Sequence, residues 1–198
     1  MWEDRFSTPE YVFGEDPARF LTEHQNLLHA GDTALCVADG EGRNSVFLAK
    51  LGLKVAALEY APSAIKKARN LAERADVTVD FREADVLHYD WSEQYDLVIG
   101  IFIQFVGPKE RDQLFAGMKH SVRPGGLVLL HGYTPEQIAY GTGGPPHAEN
   151  MYTTAQLAED FDGWSILENR AYERDVQEGR GHSGHSALID FVARKPAR

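Results

Sequence analysis

The chain has 198 residues, enough to bury a sheet covered on both faces in one enzyme-sized domain. With 43% hydrophobic and 25% charged residues it has the balance of a globular protein, which argues against a disordered or membrane-embedded chain. A total of 20 basic against 30 acidic residues gives a formal net charge of -10, and no run of Lys or Arg is long enough to track phosphates, so nucleic acid is disfavoured as a partner.

In chain order, Asp16-Pro17 supplies a capping acid and a first-turn proline for a helix whose apolar face is Phe20, Leu21, Leu27 and Leu28. A first strand is expected at about 33 to 38. It runs into Asp39-Gly40-Glu41-Gly42, and the helix behind carries Val46, Phe47, Leu48 and Leu51 before a stop near Gly52. A second strand follows at about 54 to 58 and ends against Glu59. Pro62-Ser63-Ala64-Ile65 opens a third helix with Ala68 and Leu71 inward. The alternation Val77-Thr78-Val79-Asp80-Phe81 predicts strand three, and Tyr95 to Ile101 strand four. A helix over 108 to 121 aligns Leu114, Phe115 and Met118; the Pro124-Gly125-Gly126 turn then leads into Leu127-Val128-Leu129-Leu130. The last two strands are expected at about 164 to 174 and 185 to 194.

Strands separated by helices imply a Rossmann-like, mostly parallel seven-stranded α/β sheet with helices on both faces and ligands at the carboxyl ends of its strands. The final strand, joined without a helix, is expected to be antiparallel. One single domain spanning 1–198 is read, with an N-terminal cap segment and helix over 1–31.

The segment Leu35-Cys36-Val37-Ala38-Asp39-Gly40-Glu41-Gly42-Arg43-Asn44 concentrates the chemistry. A strand, a glycine turn, a helix and a second strand ending in an acid put backbone groups and one carboxylate at one sheet edge, where a nucleoside ligand can lie. A nicotinamide fingerprint would want a third glycine at 45, where this chain has Ser45. The lone Cys36 excludes an internal disulfide framework and reads as a small buried hydrophobe.

These residues resemble the class I S-adenosylmethionine (SAM) dependent methyltransferases, and more closely their small TehB-like branch of tellurite-resistance and thiol methyltransferases. Gly40 to Asn44 with Phe47-Leu48-Ala49 resembles the branch's first motif, Tyr95-Asp96-Leu97-Val98-Ile99 its fourth strand, and Val122-Arg123-Pro124-Gly125-Gly126 the turn into the fifth. Trp2, Arg5-Phe6 and Tyr11-Val12-Phe13-Gly14 resemble its opening segment. The resemblance implies SAM as cofactor, S-adenosylhomocysteine as product and a small-molecule methyl acceptor, such as a thiol or chalcogen oxyanion. The implied cofactor contacts are Asp39, Gly40, Glu41, Gly42, Asn44, Glu59 as the ribose acid with Tyr60 beside it, Asp85 and Val86 at the adenine, and Arg5 and Tyr11 from the opening segment. The family's usual acid before the glycines is replaced by Cys36, and Ala38 stands where the first glycine is usual, so the methionine end falls to the turn, to Asp39 or to Arg5.

On the acceptor side, the connection from Tyr133 to Thr154, with Gly141-Thr142-Gly143-Gly144-Pro145-Pro146-His147, reads as a substrate lid offering Tyr133, Tyr140 or His147. Gln104 and Phe105 end strand four, with Phe102 as a further apolar wall. His182, in the cluster Glu178 to His185, is the candidate for proton removal, Arg180 for attracting an anionic acceptor, and no metal is expected. A nicotinamide-dependent oxidoreductase and a SAM-binding protein without catalysis are the competing readings. With neither a leader-like start nor a run of ~20 apolar residues, a cytoplasmic monomer or homodimer without membrane partners is expected.

Overall fold

The computed structural model describes residues 2–179 and 181–197. Two compact units account for them: one built from the chain up to Tyr89 with Glu178, Gly179 and Gly181, the other from Asp90–Gln177 and from His182 onward. The strands follow the order β3-β2-β1-β4-β5-β7-β6 in a seven-stranded sheet.

In the first unit two short helices, α1 (Trp2–Phe6) and α2 (Arg19–Glu23), precede β1 (Thr33–Val37), α3 (Arg43–Lys50), β2 (Lys54–Glu59), α4 (Pro62–Arg74) and β3 (Asp80–Glu83). β1 pairs with β2 in parallel from Thr33↔Lys54 to Cys36↔Ala57, and β2 with β3 from Ala56↔Asp80 to Glu59↔Glu83. Both inner strands are buried almost throughout, as expected for short apolar runs with helices to cover them. Proline opens α4, whose buried stripe is Ala64, Ile65, Ala68, Leu71 and Ala72.

Several boundaries differ from the sequence reading: the strand expected at 127–130 spans Val122–Tyr133, that at about 164–174 runs Ser165–Glu178 and that at about 185–194 starts at His182, and two boundaries of the first unit differ as well. The helix expected from Asp16 through Leu28 begins at Arg19 and ends at Glu23, with a separate 3-10 turn over Gln25–Leu27; Ala18 is extended (φ -54, ψ 134) with its N–H taken by the side chain of Asn44 at 2.9 Å. Strand three begins at Asp80 rather than at Val77. The N–H of Val77 bonds the carbonyl of Ala72 at 3.1 Å, closing the end of α4, while Val77 and Phe81 pack on Val46, Leu71 and Ala72.

The second unit holds β4 (Tyr95–Ile101), α5 (Pro108–Ser121), β5 (Val122–Tyr133), α6 (Thr154–Asp160), β6 (Ser165–Glu178) and β7 (His182–Arg194). β4 and β5 are parallel through Leu97↔Leu127 to Ile101↔His131, and β7 returns antiparallel to β5 from Leu127↔Arg194 to Tyr133↔Leu188. The hydroxyl of Thr153 accepts the N–H of Gln156 at 3.2 Å and caps α6, a helix that the residue pattern does not announce.

The connection after β5 is folded into two 3-10 turns, Pro135–Ala139 and Ala148–Asn150. The buried Gln137 ties it down. Its amide accepts from the N–H of Ala187 at 2.9 Å and donates to the Thr142 hydroxyl at 2.9 Å, and that hydroxyl in turn donates to the carbonyl of His185 at 2.6 Å. Among the described residues no helix is long and apolar enough to cross a membrane.

Candidate functional site

In the first unit, parallel pairing brings the ends of β1, β2 and β3 to one edge, and the residues singled out by the sequence follow them. Beyond β1 the chain enters the left-handed region at Ala38 (φ +49), Gly40 (φ +66) and Gly42 (φ +89). A side chain at Gly42 would put its Cβ 2.7 Å from that of Ala68, so this glycine lets α3 pack against α4. A Cβ at Gly40 would meet only the Phe6 ring, at 3.7 Å, which leaves the backbone there open to a ligand beneath an aromatic cover.

Glu59 closes β2 and is buried, yet its carboxylate is well held. One oxygen accepts the N–H of Gly40 and the other that of Ala61, both at 2.8 Å. A carboxylate accepts about four bonds, so with these held it keeps acceptor capacity for a ligand hydroxyl. Burial pushes this carboxyl above its ordinary value, opposed by the N–H groups of Ala61, Gly40 and Tyr60. Beside it Tyr60 is 65% exposed, a large aromatic side chain mostly in solvent. Beyond β3, Asp85 accepts the N–H of Leu87 at 3.0 Å and pairs with His88 at 2.8 Å, while Val86 is buried next to it.

Asp39 lies inside the turn. Ser45, at the position of the missing third glycine, gives it a hydroxyl hydrogen bond at 2.5 Å and an N–H bond at 3.3 Å. Burial lifts the Asp39 carboxyl to about 6, against the lowering effect of the Ser45 bonds, with Glu59 raising it further and Arg43 lowering it. Cys36 is buried, and burial, with Asp39 nearby, pushes its thiol well up.

Three residues read as cofactor contacts also tie the opening segment to the rest of this unit. Glu41 accepts the N–H groups of Val12 (2.8 Å) and Phe13 (3.3 Å) and pairs with Lys67 at 2.7 Å. Asn44 holds Ala18, and the Tyr11 hydroxyl donates to the carbonyl of Lys67 at 2.9 Å. The same segment stacks Trp2 on Phe6, sets Phe6 edge-on to Phe13 and packs Phe6 on Ala61 and Ala64, with the Arg5 guanidinium over Trp2 and Phe13 at 5.2 and 5.1 Å. Isolated motif positions carry no signal for this strap; the polar groups that follow the glycines help to hold it.

The second unit gathers a different set at the carboxyl ends of β4 and β5. Gln104 is buried; its amide donates to the carbonyl of Tyr133 and accepts from the N–H of the same residue, each at 2.7 Å. The Tyr133 hydroxyl lies 2.6 Å from Nδ1 of His182. Phe102, in the left-handed region at φ +55, stacks on His182 with ring centroids 4.0 Å apart and lies 4.8 Å from Tyr133. Met151, Val176 and Leu188 enclose Tyr133. Phe105 and Tyr140 are exposed, Tyr140 against the His185 ring, and His147 is solvated beside Glu149. Arg180 lies outside the described residues. Among the described residues no cluster of three or more His, Cys, Asp or Glu side chains is arranged to hold a metal.

Residues 34–126 match the family model described as a methyltransferase domain. Among curated proteins the chain is 28% identical over 108 residues to carboxy-S-adenosyl-L-methionine synthase of Nautilia profundicola, covering 54% of this chain and 46% of that one. The chain thus spans about half the length of the curated relatives it matches. Among solved structures, one from work on conversion of a disulfide bond into a thioacetal group during echinomycin biosynthesis aligns with TM-score 0.77 at 19% identity, over 97% of this chain and 86% of that one. TehB from Haemophilus influenzae aligns with TM-score 0.72 at 18% identity, over 98% and 67%.

Proposed function

We propose that this chain, a class I methyltransferase by fold and, over residues 34–126, by sequence, moves the methyl group of SAM to a small-molecule acceptor, a thiol or a chalcogen oxyanion. The observation that carries the reading is the edge formed by β1, β2 and β3. An open glycine backbone, a preoriented carboxylate with lone pairs to spare and an exposed aromatic ring stand there together.

The residues present fit the cofactor's parts. Glu59 takes the ribose hydroxyls, Tyr60 covers a face of the adenine, Asp85 and the Val86 N–H read its edge, and the Gly40 backbone with Asp39 receives the cationic methionine end. The cofactor supplies an activated methyl group on a sulfonium, so the chain's own tasks are to align, to exclude water and to manage one proton. Phe6, Phe13 and Trp2 provide the dry cover over the turn.

A soft nucleophile, which needs little help with its proton, suits the apolar Phe102–Tyr133–Met151–Val176–Leu188 cluster, where the imidazoles against the Phe102 ring are those of His182 and His131. Calorimetric titration with SAM, S-adenosylhomocysteine, NADH and NADPH, on wild type and Glu59→Ala, tests the proposal. Micromolar binding of the sulfur nucleosides, weakened at least about tenfold (1.4 kcal/mol) by the substitution, is expected. Binding of the nicotinamide nucleotides alone would replace the proposal with an oxidoreductase. Binding of SAM without turnover of any acceptor would leave a SAM-binding protein.

A further inference from the structure

His185, near the start of β7, has an acid at each ring nitrogen. Nδ1 lies 2.9 Å from Asp175 and Nε2 lies 3.2 Å from Glu173, two residues of β6 that share one face of that strand. A neutral imidazole has one N–H and one lone pair, and only the imidazolium donates from both nitrogens. The two contacts together therefore describe a protonated ring held between two carboxylates.

The same ring meets the connection after β5. Tyr140 stands edge-on to it at 84°, with centroids 4.8 Å apart, and the Tyr140 hydroxyl bonds the Glu173 carboxylate. Glu136, from the same connection, adds a negative charge that bears on both Glu173 and Tyr140. Three acids thus gather about one cation. Two other ties of the connection involve no ionisable side chain: Gln137 accepts the N–H of Ala187, and the Thr142 hydroxyl donates to the carbonyl of His185. Between these anchors the N–H groups of Tyr140 and Gly141 both reach the carbonyl of Gln137, at 3.0 and 3.3 Å.

We propose that His185 is a proton-operated latch for this connection: as imidazolium it bridges Glu173 and Asp175 and seats Tyr140 against β6, and on losing its proton it frees the Tyr140 corner while Gln137 and Thr142 stay anchored. Loss of the proton turns one donor into a lone pair facing a carboxylate oxygen. It also leaves Glu136, Glu173 and Asp175 without the charge that offsets their mutual repulsion. The segment so clasped is the one that the sequence reads as a substrate lid, and the latch is a property of this unit that needs no bound cofactor.

The bonds to Asp175 and then to Glu173 raise the proton affinity of His185 above its ordinary value. Glu173, bonded by Tyr140 and His185, and Glu136, bonded by Thr134, are both held below the ordinary carboxylate range and stay ionised. With a raised value in the folded protein, the latch is complete below the unfolded value of about 6.5 and is lost as pH climbs through the folded one. The side chains of His185, Glu173 and Asp175 are 47%, 53% and 87% exposed, so solvent screens the bridge and the effect is several-fold rather than orders of magnitude.

Amide hydrogen exchange of the full chain tests the proposal, expressed as protection factors at pH 5.5, 7 and 9 so that intrinsic base catalysis is removed, together with nitrogen-15 NMR of the imidazole. Both His185 nitrogens should carry protons at pH 5.5. Protection at Tyr140 and Gly141 should fall about fivefold as the ring titrates, with Ala187 unchanged. His185→Gln, neutral throughout, should show the low protection at every pH, and His185→Arg, cationic throughout, should keep the high protection at pH 9. Glu173→Gln should lower the midpoint of the His185 titration. Protection at Tyr140 and Gly141 that stays level through that midpoint in the wild type, or that follows pH equally in His185→Gln, overturns the proposal, as does a ring protonated at one nitrogen alone at pH 5.5. Failure of the chain to bind SAM would overturn the methyltransferase reading and leave the latch standing, because no arm of this test uses the cofactor.

Discussion

Ser45 and Asp39 are joined twice, by the serine hydroxyl at 2.5 Å and by its N–H at 3.3 Å, so the residue standing where a dinucleotide fold would carry its third glycine supports an acid. Burial nevertheless lifts that carboxyl to about 6 from the 3.8 of a free side chain. The raised value makes the folded protein hold the proton more tightly than the unfolded chain, so the group's contribution to stability is present below about pH 4 and declines as pH rises toward 6. The difference in thermal midpoint between Asp39→Asn and wild type should therefore grow in the variant's favour over that window and level off above it. Bound SAM, cationic at this end, reverses the preference. Wild-type affinity should fall as pH drops below 6, and Asp39→Asn should bind weakly with no such dependence; calorimetry at pH 5, 6 and 7.5 reads both.

Tyr60 follows the acid of β2 and leaves its ring in solvent, an unusual expense of apolar surface unless something stacks on it. Tyr60→Ala should weaken SAM by about 1–3 kcal/mol, the range of base–aromatic stacking, and Tyr60→Phe by little. Neither should alter the melting temperature without ligand by more than a degree or two, because the side chain is mostly in solvent. A loss of stability in Tyr60→Ala equal to its loss of binding would contradict the assignment.

The fold and half of the candidate site were legible because they rest on local rules. Apolar runs of strand length, Pro62 and Pro108 at helix starts and the glycine turn each follow from backbone chemistry; β1, β2 and β4 came within a residue of their expected bounds, whereas β3, β5, β6 and β7 differed by three residues or more at one end. What stayed hidden depends on residues far apart in sequence. Glu41 and Asn44 sit in and just after the glycine turn, and only the folded chain shows their bonds to Val12, Phe13 and Ala18. The partnership of Tyr133 with His182 spans 49 positions, and no periodicity reports it.

Glu41 and Lys67 form a largely buried ion pair at 2.7 Å, and the same carboxylate holds the N–H groups of Val12 and Phe13. Removing one partner of such a pair strands the other charge, so Lys67→Met should destabilise the protein by about 3 kcal/mol or more. Glu41→Gln should act more locally. Hydrogen exchange at Val12 and Phe13 should quicken at least about tenfold, and proteolysis should begin within the first 18 residues. Protection unchanged at these two amides would show that the segment is held by its aromatic contacts alone.

Gly40 and Gly42 should separate ligand binding from packing. Gly42→Ala combines a left-handed backbone, about 1–2 kcal/mol, with a Cβ 2.7 Å from that of Ala68 and should destabilise the apoprotein by about 2–4 kcal/mol in urea unfolding. Gly40→Ala meets only the backbone cost, so its loss of stability should be about 1–2 kcal/mol, while its loss of SAM affinity should be the larger of the two.

Gly132 and Gln104 permit a more stringent test, because one leaves room for the other. A Cβ at Gly132 would stand 2.5 Å from the amide oxygen of Gln104, the atom that accepts the N–H of Tyr133. Gln104→Ala removes both bonds to Tyr133; the Tyr133 carbonyl keeps the N–H of Tyr152 at 3.1 Å, so the loss, about 1–3 kcal/mol, falls chiefly on the Tyr133 N–H. Gly132→Ala should cost about 1–3 kcal/mol by forcing the amide aside. In the Gln104→Ala background, however, the added methyl meets empty space and should cost close to nothing, so the cycle should show a coupling of about 1–2 kcal/mol. Strict additivity would mean that the amide does not grip Tyr133 in solution, and would remove the support on which the placement of the phenol against His182 depends.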